Sequence, residues 1–93
     1  MKRKEVEIKN KLGLHARPAS LLVKLAGKYS SEIDLIKEDT EVNAKSILGV
    51  MMLAAGPGQK LTITAEGSDE VEAVEALAAL IDKNIVARLE SSF

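Results

Sequence analysis

Apolar and polar positions change period several times along the chain, and each change marks an element. Glu5-Val6-Glu7-Ile8-Lys9 alternates with period two and predicts a half-buried strand. Gly13 breaks that pattern. From Ala16 to Gly27 the period becomes helical, with Ala19, Leu22, Val23 and Ala26 on one face. Pro18 suits a first turn, where its missing N–H is not needed, and Gly27 suits a stop. Ile33 and Leu35 mark a second strand. The polar pair Glu38-Asp39 predicts a tight turn into a third strand over Thr40–Val42.

Ser46 opens a short apolar helix expected to end near Ala54, and Gly56-Pro57-Gly58 reads as a loop. Leu61, Ile63 and Ala65 alternate with Thr62, Thr64 and Glu66, which predicts a fourth strand. Asp69 followed by Glu72 resembles a capping box for a last helix whose buried stripe is Val74, Leu77, Ala78, Ile81 and Ile85. Residues 86–93 carry no strong pattern and read as a C-terminal extension. The expected order is β-α-β-β-α-β-α in one domain spanning residues 1–93. One-sided alternation predicts a sheet with one wet face and helices on the other, an α+β fold.

Composition narrows the chemistry. The 93 residues carry a net charge of −1, which argues against nucleic acid as a partner. A KH-like reading of the Gly-Pro-Gly loop fails on the same lack of basic excess. With no Cys and one His, no thiol chemistry and no metal cluster are expected, and no cofactor is implied. The longest apolar runs are residues 50–55 and 76–81, far short of the roughly 20 needed to span a bilayer. The basic start lacks the apolar core of a secretory signal, so a cytoplasmic location is expected.

The one histidine lies in Gly13-Leu14-His15-Ala16-Arg17-Pro18-Ala19, at the start of the first helix. The first N–H groups of a helix lack partners within it, and the helix dipole is positive there. A phosphoryl group on His15 would accept bonds from the Ala16 and Arg17 amides and a charge-assisted contact from the Arg17 guanidinium. The same positive end disfavours imidazolium and keeps a ring nitrogen lone pair free to attack phosphorus. Ser20, Lys24 and Lys28 follow in one helical row, a basic strip suited to acidic partner surfaces. By spacing alone, the reading of His15 as an ordinary loop residue and Arg17 as a solvated charge stands ahead, since a lone His with a nearby Arg is a weak signal.

The stretch GLHARPAS, with Asn43-Ala44-Lys45-Ser46-Ile47-Leu48-Gly49-Val50-Met51 and Leu61–Glu66, resembles the HPr family. These are the histidine-containing phosphocarriers of the bacterial phosphoenolpyruvate-dependent sugar phosphotransferase system. The resemblance runs from about Val6 to Ile85. It implies an open-faced sandwich of four antiparallel strands with three helices on one face. It further implies that His15 takes a phosphoryl group from enzyme I, through Nδ1 and with help from Arg17, and passes it to sugar-specific IIA proteins. Such a protein is a monomeric component of a phosphotransferase relay and not a stand-alone catalyst. A related catabolite-repression protein of some bacilli lacks the phosphoryl-accepting histidine, so His15 argues against a purely regulatory role. The proline of the Gly-Pro-Gly loop and the longer tail are departures that do not touch His15.

The middle helix raises a second question. Ile47, Leu48, Val50, Met51, Met52 and Leu53 leave almost no polar face. A short helix on a sheet buries one side only. Val50 and Leu53 are expected inward, leaving some of Ile47, Leu48 and Met51 as an adaptable docking patch. The alternative is that most of this helix is core. The resemblance favours docking, with Ser20 and Lys24 on the same interface. Ser46 is placed as an N-cap by its position, and the resemblance adds regulatory phosphorylation by an HPr kinase/phosphorylase. A non-enzymatic regulatory module using residues 47–53, and a carrier serving nitrogen regulation, remain as alternatives.

Overall fold

A computed structural model describes residues 1–8, 16–53 and 55–82, the side chains of 16–18 and 82 excepted. Its elements are β1 (Lys2–Glu7), α1 (Ala16–Ala26), β2 (Glu32–Lys37), β3 (Thr40–Asn43), α2 (Ile47–Met52), β4 (Lys60–Glu66) and α3 (Glu70–Asp82). They form an antiparallel sheet in the order β1-β4-β2-β3, with the expected succession of strands and helices. Expectations for His15, Ile85 and residues 86–93 fall outside the described residues.

Strand alternation sorts the sheet into two faces. Val6, Ile33, Leu35, Leu61, Ile63 and Ala65 are buried beneath the helices. From above, α1 contributes Ala19, Leu22 and Ala26, and α3 contributes Ala73, Val74, Leu77 and Ala78. The core is therefore aliphatic, as the shortage of aromatic residues requires. Val23, expected on the apolar face of α1, is only half-buried at its margin.

Two boundaries and one cap differ from the sequence expectation. β1 begins at Lys2, because the backbone ladder to β4 continues from Glu7↔Lys60 back to Lys2↔Ala65. α2 ends at Met52, two residues short of Ala54. The Asp69–Glu72 capping box does not form. Instead Glu70 Oε1 accepts the Gly67 N–H at 3.1 Å, and the Asp69 carboxylate turns to Ser30 and Ser31. The Glu38-Asp39 turn does form, with Glu38 at φ 55° in the left-handed region.

The loop before β4 is tied to the end of β1. Ile8 N–H donates to Gln59 O and Gly58 N–H donates to Ile8 O, both at 2.8 Å. Gly58 sits at φ 83°, a conformation that costs glycine little. Ile8, the last described residue before the histidine segment, is thereby held in the core.

Candidate functional site

α1 begins at Ala16, so His15 immediately precedes its first residue. The helix carries no acid in its first turn and has Lys24 in its last. It ends by tightening: Gly27 N–H bonds to Val23 O, then Lys28 and Tyr29 bond to carbonyls three residues back. Ser20 is half-buried, while Lys24 and Lys28 are exposed. Among the described residues neither lysine has an ion-pair partner. The positions of His15 and the Arg17 side chain are outside the described residues, as is the expected phosphate contact to the Ala16 and Arg17 amides.

α2 packs on α1 and on β3. Asn43 prepares its start: its Oδ1 accepts the Lys45 N–H at 2.8 Å, and its carbonyl accepts the Ser46 N–H at 3.1 Å. Ser46 then caps the helix, with Oγ accepting from Gly49 N–H at 3.1 Å. Gly49 lies tight against the sheet. A Cβ there would come within 3.4 Å of Val42 Cβ. That approach turns Val50 and Leu53 into the core and leaves Ile47, Leu48 and Met51 exposed.

The docking expectation for those three residues therefore has the exposure it needs. Met52, absent from that expectation, is the most exposed of the patch at 71%. The same helical turn angle that buries Val50 and Leu53 carries Met52 outward, so the wheel held the signal. A second residue missed was Lys45, whose Nζ donates to Tyr29 O at 2.7 Å. That bond staples the start of α2 to the segment following α1, and no local pattern announces it.

The result is a surface that combines an apolar helix without charge, the exposed Lys24 of α1 with Lys28 just beyond its end, and a helix-capping serine at the seam. Such a surface suits an acidic partner with an apolar centre. Among the described residues no group of three or more His, Asp or Glu is placed to hold a metal. No described helix is long and apolar enough to cross a membrane.

Residues 2–83 match the family described as PTS HPr component phosphorylation site. The chain is 53% identical to the HPr-like protein Crh of Halalkalibacterium halodurans, over 89% of this chain and 99% of the relative. It is 49% identical to phosphocarrier protein HPr of Cupriavidus necator, over 87% of this chain and 91% of the relative. The crystal structure of HPr-C-His from Thermoanaerobacter tengcongensis superimposes with a TM-score of 0.86 at 52% identity. That match covers 89% of this chain and 93% of the other.

Proposed function

This chain belongs to the PTS HPr family, and from that premise we propose that it relays a phosphoryl group through His15. The lone pair of His15 Nδ1 attacks phosphorus on phospho-enzyme I. A nitrogen–phosphorus bond forms on His15 as the bond to enzyme I breaks, its electron pair leaving with enzyme I. The reverse displacement delivers the group to a IIA protein for sugar uptake. The carrier works in the cytoplasm, one chain per encounter.

The observation that supports this reading most is the side of the molecule built by α1 and α2. His15 directly precedes α1, whose helix end favours a negative phosphoryl group and an uncharged imidazole. Arg17 adds a charge-assisted contact. α2, packed on α1, offers Ile47, Leu48 and Met51 to solvent, and α1 offers Ser20 and Lys24. That patch receives enzyme I and IIA in turn, and Ser46 at its seam is a regulatory phosphorylation site for an HPr kinase/phosphorylase.

Similarity to Crh favours a second reading, an HPr-like regulator that binds partners through α2. Incubation with phosphoenolpyruvate and enzyme I separates the two. The carrier gains one acid-labile phosphate on His15. A chain that stays unmodified under conditions that load a known HPr is the regulator.

A further inference from the structure

The face of the sheet turned away from the helices has a different electrical character. Alternation places Glu5, Glu7, Glu32, Asp34, Glu41 and Glu66 on it. Among the described strand residues that alternation places there, Arg3 and Lys60 are the basic ones, and Lys37 borders the face beside Ile36 and Lys60. Four carboxylates are thus in excess on one face of a chain whose net charge is −1.

The excess is concentrated on the β4-β2-β3 side of the face. Glu32 and Glu66 are direct cross-strand partners, an arrangement that like charges destabilise. Asp34 follows Glu32 two residues along β2, and Glu41 lies diagonally across from it, since Asp34 pairs with Asn43 and Ile36 with Glu41. Hydrogen bonding to Asp34 and repulsion from its charge hold the Glu41 carboxyl above its ordinary range, with Arg3 opposing. Among the described residues, neither Glu32 nor Glu66 has an ion-pair partner.

A second observation points into the same place. Thr64 lies between Arg3 and Asp34 in the register and is only 8% exposed. Among the described residues its hydroxyl has no hydrogen-bond partner, although buried polar groups are normally paired.

We propose that this side of the open face, Glu32, Asp34, Glu41 and Glu66 around Thr64, docks an extended basic segment of a partner protein. Four carboxylates held together at a cost to the free protein gain most from a cationic occupant. Nucleic acid and anionic lipid are repelled. A second copy docked face to face would oppose its own excess of carboxylates. Spacing favours a polypeptide. Glu32 and Asp34 are about 6.8 Å apart along β2, the repeat of alternate residues in an extended chain. Alternating Lys or Arg share one face of such a segment and would meet successive carboxylates, and one of those cationic groups would donate to the Thr64 hydroxyl. The face lies opposite α2, so such a partner and a phosphotransfer partner can bind together.

The test is an amide NMR titration of the full chain with an octapeptide of alternating Lys and Thr, at about 150 mM salt. Shifts should cluster at 32–34, 41–43 and 64–66 and leave α2 unchanged. The double variant Glu32→Gln/Glu66→Gln should bind at least about tenfold more weakly while melting at a higher temperature, because its repulsion is relieved. Glu72→Gln, on α3, should bind as the unaltered chain does. Equal affinity in the double variant, shifts centred on Glu70 and Glu72, or equal binding of spermidine would overturn the proposal. None of these outcomes depends on whether His15 accepts phosphate.

Discussion

The Asp69 carboxylate accepts from Ser31 twice, through the main-chain N–H at 3.0 Å and through the hydroxyl. Its second oxygen accepts the Ser30 N–H at 2.9 Å. One side chain at the start of α3 thus closes the turn before β2, thirty-eight residues away in sequence.

That closure should make stability sensitive to acid. The Ser31 hydroxyl, foremost, and the Ser30 and Ser31 amides lower the Asp69 pKa from 3.8 to about 2. Folding therefore favours the ionised form. The stabilisation is present in full above the unfolded value and is lost as pH falls from about 4 towards 2. Asp69→Asn should lower the melting temperature at pH 7 and flatten its fall over that window. An acid limb as steep in the variant as in the parent would place the sensitivity elsewhere.

Gly67 guards the same junction. A Cβ on it would sit 2.6 Å from Ser31 Oγ and 2.7 Å from Ser31 Cα, and the backbone there is at φ 154°. The nearest obstacle includes main chain, so a rotamer change cannot relieve it. Gly67→Ala should cost about 1–3 kcal/mol in chemical denaturation. Gly58→Ala is a useful contrast, because a Cβ there meets nothing within 4 Å and only its φ of 83° is penalised.

These contacts also mark how far the chain can be read locally. Element order and the strand faces follow from period changes, since Val6, Ile33, Leu61 and Ile63 alternate with polar neighbours and are all buried. The acidic start of α3 is legible too, but the use of Asp69 is not. Asp69 and Glu72 have capping-box spacing, and it is the distant Ser31 hydroxyl with the Ser30 and Ser31 amides that decides where the Asp69 carboxylate turns. The first residues of β1 mislead for a similar reason. Lys2 and Lys4 show no apolar alternation, yet they pair with β4, and Lys4 Nζ reaches Glu75 Oε1 at 3.1 Å. For the candidate site, α2's exposed side follows from the burial of Val50 and Leu53, whereas the Lys45–Tyr29 staple depends on two segments meeting in space.

His15→Ala should abolish phosphoryl acceptance from enzyme I and leave the melting temperature nearly unchanged, within about 0.5 kcal/mol of stability. Arg17→Ala should still accept phosphate but more slowly, about ten- to a hundredfold. That is the rate equivalent of one charge-assisted bond of about 1.5–3 kcal/mol. Rapid-quench measurement of transfer checks both. Acceptance at the normal rate by His15→Ala would remove the assignment, and an unchanged rate for Arg17→Ala would make it a surface charge.

The α2 patch predicts a separation of binding from stability. Leu48 is 66% exposed, and Met51 also faces solvent, so neither holds the core. Leu48→Glu and Met51→Glu place an acid in the apolar surface proposed to meet acidic partners. Each should weaken enzyme I binding at least about tenfold, or 1.4 kcal/mol, with little change in melting temperature. Val50→Ala, in the core beneath them, should show the reverse pattern. A large loss of stability in Met51→Glu would make that residue structural.

Ser46 joins the two behaviours in one residue. Its Oγ accepts the Gly49 N–H, so Ser46→Ala should cost about 1 kcal/mol of stability through loss of the cap. Ser46→Asp keeps an oxygen at that position, and aspartate is as good a cap, so stability should hold. Its added charge lies beside Ile47 and Leu48, where an acidic partner surface must approach. His15 phosphorylation by enzyme I should then slow at least about tenfold, while Ser46→Ala phosphorylates at the parent rate. Salt separates repulsion from misfolding. The Debye length falls from about 10 Å at 0.1 M to about 3 Å at 1 M, so the Ser46→Asp deficit should shrink as salt rises. Equal rates for Ser46→Asp and the parent chain, or a deficit indifferent to salt, would refute control by charge at this seam.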